Sequence, residues 1–220
     1  MSNQLSQCSA LEKHYRRFLI NENSADFIHE ISQRYTLHSL GHLVSKGKRV
    51  TRRAATLAVG FLGSFKQNHV MGQALIDQDR GVRLLADHSI RQLWFRVGNP
   101  SIEFGLRRIF RENRRHHFVT AIDLCDDLIE LDPTVAEVWN QRAIACYNLE
   151  DYCQAISDCC QCIELNPFHF LAALGSANCN LERGDVVEAL ADYRLALAIN
   201  PDLESVRRQI DQLSRIVEGR

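Results

Sequence analysis

The fold class this sequence predicts is all-α: an alpha-alpha superhelix, or solenoid, of helix-turn-helix repeats. Three observations carry that expectation. Pro133, Pro167 and Pro201 stand at equal intervals of 34 residues. Ala121, Ala155 and Ala189 recur at the same interval, as do Phe118, Tyr152 and Val186, and Ile122, Ile156 and Leu190. Only 4 Pro and 11 Gly punctuate 220 residues, which favours long helices, and no alternating run announces a sheet.

Each interval closes on a similar phrase: Ile129-Glu130-Leu131-Asp132-Pro133, Ile163-Glu164-Leu165-Asn166-Pro167, and Leu197-Ala198-Ile199-Asn200-Pro201. The physical roles follow from the residue types. A pair of antiparallel helices cannot bury its apolar faces alone, so units must stack. The small alanine lets the second helix approach its neighbours closely. The large residue three places earlier fills the wedge at the turn. The proline stops the second helix and sends the chain into the next unit. In the middle unit, Trp139-Asn140-Gln141-Arg142-Ala143 opens the first helix and Tyr147-Asn148-Leu149-Glu150-Asp151-Tyr152 makes the turn. The next unit has Ala173, Ala177 and Gly184-Asp185 in those places, and the one before has Gly105, Ile109, Glu112 and the turn His116-His117. This pattern resembles the tetratricopeptide repeat, whose period is 34 residues. The resemblance implies three such repeats over residues 102–201 and a capping helix over 202–220. In the cap, Leu203, Val206, Ile210, Leu213 and Val217 recur at three- and four-residue steps.

A second offset runs through the first half. Leu40-Gly41 aligns with Met71-Gly72 at a spacing of 31, and the same offset pairs Val44 with Leu75, Arg52 with Arg83, Ala55 with Ala86, Val59 with Ile90 and Leu62 with Leu93. Residues Arg52 to Gly63 and Val82 to Ala86 resemble second helices of HEAT repeats, with Asp77-Gln78-Asp79 similar to that family's inter-helix turn. HEAT-like units are therefore expected over 36–98. They are preceded by N-terminal helices within 1–35 (Leu11–Ile20 and Phe27–Tyr35), with Thr36 as N-cap of the next helix. Gly98-Asn99-Pro100 is the expected break between the halves, which are expected to stack into one curved body.

Charge is divided. Residues 1–117 carry 19 Lys+Arg against 9 Asp+Glu, and residues 118–220 carry 7 against 18, inside an overall net charge of −1. The polar start lacks the positive-then-apolar order of a signal peptide, and no apolar stretch approaches a membrane span, so the chain reads as cytoplasmic with no membrane partner. Seven of the 8 Cys lie between Cys125 and Cys179. Cys159 shares a register slot with Cys125 and Tyr193, and Cys162 with Leu128 and Ala196, so they read as small buried hydrophobes rather than zinc ligands. No Ser-His-Asp order, nucleophile elbow or P-loop is present. The expectation is a non-enzymatic chain with no catalytic residues, no metal and no cofactor.

Function is then expected in the groove. The family resemblance implies that the first helix of each repeat lines a concave surface. It would display Leu106, Arg107, Phe110 and Arg114 from the first repeat, and Asn140, Gln141, Ile144 and Asn148 from the second. The third would add Leu171, Leu174, Asn178 and Leu181. Chaperone-binding members clamp a terminal carboxylate with Lys, Asn and Arg. At those places this chain has Leu106, Phe110, Gln141, Leu171 and Gly175, so that clamp is absent. An amide-rich, apolar strip suits a protein or peptide partner, and Arg107 and Arg114 would favour an acidic one. The blander alternative is that these residues pack against a neighbouring helix. The rival function is nucleic-acid-backbone binding through the basic HEAT-like half, with Lys48, Arg49, Arg52 and Arg53 as anion-binding candidates. The lack of interleaved aromatics and the acidic second half disfavour it.

Overall fold

The computed structural model describes residues 9–218, so the polar residues 1–8 and the last two residues of the expected cap lie outside the described part. Among the described residues the chain forms thirteen α-helices, a single 3-10 turn and no strand. It divides into two compact units between Leu93 and Trp94. That division precedes Gly98-Asn99-Pro100, because Trp94, Phe95 and Val97 pack with the second unit.

The first unit holds α1 (Ala10–Asn21), α2 (Ser24–Ser32), α3 (Leu37–Lys46), α4 (Arg49–Leu62), α5 (Asn68–Ala74) and α6 (Arg80–Leu93), with the 3-10 turn Phe65–Gln67 before α5. Thr36 caps α3, its hydroxyl accepting from the Ser39 amide. Helices α3 and α4 form one hairpin and α5 and α6 the next, with α4 against α6 and α3 against α5. The offset of 31 residues is thus a stacking register. Leu40 and Met71, Ala55 and Ala86, and Val59 and Ile90 are all fully buried. Gly60 lets α4 meet α6: a Cβ there would fall 2.2 Å from the Ser89 hydroxyl oxygen.

Two bidentate ion pairs tie α4 to the α5–α6 turn. Arg52 Nε and Nη2 donate to the two carboxylate oxygens of Asp77, both at 2.8 Å, and Arg53 grips Asp79 at 2.6 and 2.8 Å. Asp79 also accepts from the Val82 amide at 3.1 Å and so starts α6. The Arg53 hydrogen bond lowers the pKa of the Asp79 carboxyl, and the Asp77 hydrogen bond raises that of Arg52.

The second unit holds α7 (Pro100–Arg114), α8 (Phe118–Leu131), α9 (Ala136–Asn148), α10 (Tyr152–Leu165), α11 (Phe170–Glu182), α12 (Val186–Ile199) and α13 (Glu204–Val217). Ala121, Ala155 and Ala189 are each fully buried where helices meet. The turn within each hairpin is also periodic. His116, Glu150 and Gly184 occupy the left-handed region at φ of 61°, 62° and 82°. The following amides, of His117, Asp151 and Asp185, reach back to the carbonyls of Glu112, Cys146 and Asn180 at 3.0, 2.9 and 2.8 Å. This is the six-to-one closure of a Schellman cap. Only the third turn uses the residue that adopts this conformation without steric penalty.

The best-matching repeat is braced by Arg142. It grips the buried Asp158 at 2.8 and 2.7 Å, reaches Asp126 at 2.5 Å, and lies 4.9 Å over the Trp139 ring. Trp139 Nε1 donates to the Pro133 carbonyl at 2.9 Å, joining the first helix of this unit to the proline before it. The final helix α13 buries Val206 and Leu213 against α12, while Val217 stays 48% exposed.

Three measurements follow. Ala155→Leu overpacks a closed contact and should lower stability by about 1–3 kcal/mol in urea titration; an unchanged midpoint would mean the contact is loose. Arg52→Ala strands the Asp77 carboxylate and should cost about 3 kcal/mol at neutral pH. Because the Asp79 pKa is depressed by folding, its contribution is present above the usual carboxylate value. It is lost as pH falls through the folded value, so stability should drop in that acid range and less so in Arg53→Ala.

Candidate partner-binding groove

The first helices of the three 34-residue units are α7, α9 and α11. The residues expected there divide into two sets. Phe110 is 42% exposed and Ile144 39%, and Arg107, Arg114, Asn148 and Asn178 are exposed, with Leu171, Leu174 and Leu181 half-buried. Phe110, Ile144 and Asn178 hold one register position in successive repeats, and Arg114 and Asn148 share the next turn. The Arg114 guanidinium lies 5.9 Å over the Phe110 ring. The Asn148 amide donates to the Ile144 carbonyl at 2.7 Å, and Asn178 Oδ1 accepts from the Tyr193 hydroxyl at 2.5 Å.

Leu106, Asn140 and Gln141 are corrections to that expectation. Leu106 is fully buried in the core with Ile102, Ile109 and Val138, and Phe95 and Val97 pack onto this cluster. Asn140 and Gln141 are 4% and 3% exposed. Their amides donate to Glu137 Oε1 at 3.2 and 2.6 Å, and Asn113 Nδ2 donates to both the Gln141 carbonyl and its Oε1 at 2.9 and 3.0 Å. The reason is Glu137, a carboxylate 3% exposed that requires hydrogen-bond donors on every side. Its other oxygen faces His169 Nε2 at 2.9 Å. His169 Nδ1 accepts from the Ala172 amide at 3.1 Å. A backbone amide only donates, so the ring hydrogen sits on Nε2 and points at Glu137. Trp94 stacks on that imidazole with centroids 3.8 Å apart and planes 21° from parallel, and lies 5.6 Å from Phe170. Phe95 meets Phe110 edge-on at 5.5 Å.

Sequence reasoning missed Glu137, His169, Trp94 and Phe95. The available signal was the aromatic doublet Trp94-Phe95, which has no mate at either repeat interval.

The anion-binding candidates are also divided. Lys48 and Arg49 are exposed, whereas Arg52 is 9% exposed and, like Arg53, is held in the carboxylate pairs described above. The exposed turn His116-His117 is engaged through His117 Nδ1 and Glu112 at 2.9 Å.

Thiol chemistry is confined by packing. Cys125, Cys146, Cys159, Cys162 and Cys179 are buried, and Cys153 and Cys160 are exposed. Burial pushes the Cys146 and Cys179 thiols up to about 11 and holds Cys159 and Cys162 well above the usual thiol value. Among the described residues, no three His, Cys, Asp or Glu side chains are grouped so as to hold a metal ion.

Residues 136–169 match the tetratricopeptide repeat family. A TPR repeat-containing protein of Rhizobium etli is 26% identical over 60% of this chain and 65% of its own length. Heat shock protein STI1 of Saccharomyces cerevisiae is 30% identical over 46% of this chain and 17% of its own. The chain thus spans less than two thirds of the relatives it matches. A solved structure, the first TPR of Spaghetti (RPAP3) bound to HSP90 peptide SRMEEVD, shares the fold with a TM-score of 0.50 and 20% identity. It covers 52% of this chain and 91% of that one.

Brief alkylation of the native protein at pH 8, followed by peptide mapping between Cys125 and Cys179, should label Cys153 and Cys160 and spare the five buried thiols until denaturant is added. Early labelling of Cys159 would show that the α10 face is open.

Proposed function

We propose that this tetratricopeptide repeat chain is a protein-interaction adaptor, holding a partner segment along the exposed register of its three first helices. The observation that carries this reading is the in-phase exposure of Phe110, Ile144 and Asn178, one residue from each repeat. Core-facing positions of the same helices are closed, so a side chain left open at the same place three times is available to a ligand. Phe110 and Ile144 would be the apolar anchors, since interfaces draw most of their energy from a few desolvated side chains. Asn148 and Asn178 would pair with a peptide backbone through donors and acceptors not used internally. Arg107 and Arg114 would speed the approach of an acidic partner.

The Spaghetti fragment binds an acidic peptide, and the protein-partner reading is in keeping with that. The mode would differ here. Among the positions where chaperone-binding relatives carry clamp residues, Leu106 and Gln141 are buried and Phe110, Leu171 and Gly175 carry no charge. The adaptor reading includes a non-enzymatic role and a cytoplasmic setting; among the described residues no helix is long and apolar enough to cross a membrane. The HEAT-like identity of the first unit belongs to the same proposal, supported by its stacked hairpins. Nucleic-acid binding is the weaker reading because Arg52 and Arg53 already satisfy two carboxylates, leaving Lys48 and Arg49.

Phe110→Ala and Ile144→Ala should each leave the melting temperature nearly unchanged and cost about 2 kcal/mol of partner binding, roughly thirtyfold in affinity. The check is quantitative comparison of proteins co-purifying with each variant and with wild type. Equal recovery from both variants would remove the groove as the site. The peptide SRMEEVD should show no saturable binding up to about 100 μM by fluorescence polarisation; tight binding would mean that a clamp exists despite these substitutions.

A further inference from the structure

The segment that leads into α7 packs on the second unit through Trp94, Phe95 and Val97. Trp94 is 2% exposed, although it belongs to no helix and no repeat register. Its indole is held face-on by His169 and flanked by Phe170, while Phe95 lies against Phe110, the anchor nearest that end of the strip. The surface beneath is a closed hydrogen-bond network. Asn113 from α7, Gln141, Asn140 and Glu137 from α9, and His169 at the start of α11 form one hydrogen-bonded chain that fixes the imidazole plane and its tautomer. Aromatic rings stack on such a fixed plane with a preference beyond simple burial. Behind the segment, Gly98 sits at φ +85° with nothing within 4 Å of where a Cβ would be. The Gly98 amide donates to Glu103 Oε1 at 3.0 Å, which holds this turn to the first turn of α7.

The geometry points to an aromatic-peptide site formed by the first two repeats and the start of the third, for which residues 94–97 are the resident ligand. The partner it fits is an extended segment presenting two adjacent aromatic side chains, one to stack on His169 and one to meet Phe110. Such a partner competes with Trp94 and Phe95. This inference rests on the groove reading above and adds its regulation: the apparent affinity for a partner is reduced by the fraction of molecules in which the segment is docked.

The test uses the full chain and a labelled peptide copying residues 91–98 (RQLWFRVG). Trp94→Ala combined with Phe95→Ala empties the site. The expected result is peptide binding about tenfold tighter or more than to wild type, abolished again when His169→Ala is added. A folded double variant, judged by its helical circular dichroism, that binds no better than wild type would show the segment to be ordinary core and overturn the inference. A second arm avoids dependence on that variant's folding. With Trp139→Phe, Trp94 is the sole tryptophan, and an excess of RQLFFRVG should shift its emission to the red with the helix signal unchanged. Emission that stays unchanged at saturating peptide would also overturn it. The two proposals separate cleanly. Peptide capture by the emptied site together with unaltered partner recovery from Ile144→Ala would keep this site and discard the longer strip. The reverse pattern would discard the resident-ligand idea alone.

Discussion

Every hairpin in this chain has more apolar surface than it can hide by itself, and the whole structure follows from how closely the next hairpin can approach. In the second unit that distance is set by Ala121, Ala155 and Ala189, which present no side chain beyond a methyl group where helices cross. In the first unit Gly60 performs the same service against Ser89. With separation fixed, the larger side chains can fill the wedges, and the turns, left-handed at His116, Glu150 and Gly184, reverse the chain through the same backbone closure each time. Stacking then leaves Phe110, Ile144 and Asn178 exposed at one register position of the three first helices.

Polar chemistry sits inside this apolar frame in two different ways. The Arg52–Asp77, Arg53–Asp79 and Arg142–Asp158 pairs join neighbouring helices or turns by matching two donors to two acceptors. Their geometry gives orientation as well as energy. Glu137 differs in having no guanidinium partner. It is satisfied by amides and an imidazole, so its negative charge is spread over neutral donors on one helix and the start of another. A network of this kind specifies positions tightly because each member leaves another unsatisfied if it moves.

The repeat register was legible in the sequence because it is written by residues whose size or backbone restriction matters: alanine at a contact, proline after a helix, an aromatic at a wedge. The candidate strip was legible in part, since Phe110, Ile144 and Asn178 follow that register. Leu106, Asn140 and Gln141 follow it too, yet they are buried. Periodicity reports which way a residue faces on its helix and says nothing of a non-repeating segment laid over that face. Phe95 and Val97 are such a segment for Leu106, whereas Asn140 and Gln141 are drawn inward by Glu137. The pairing of Arg52 and Arg53 was hidden for a related reason. Clustering along the chain was visible, while the carboxylates that neutralise Arg52 and Arg53 come from a turn 25 and 26 positions away.

The stack between Trp94 and His169 also orders events in time. Most contacts in the second unit join helices adjacent in sequence, so each hairpin can form soon after its residues are available, at small loop-closure cost. The Glu137–His169 bond already spans 32 residues. The indole must wait longer, because its imidazole is not positioned until α9 is in place and α11 has begun. During synthesis, the aromatic doublet would leave the ribosome well before its receptor surface exists. For that interval it is an exposed apolar segment, open to chaperones or to another chain. Docking of Trp94 is therefore a signal that the first two repeats and the start of the third are complete.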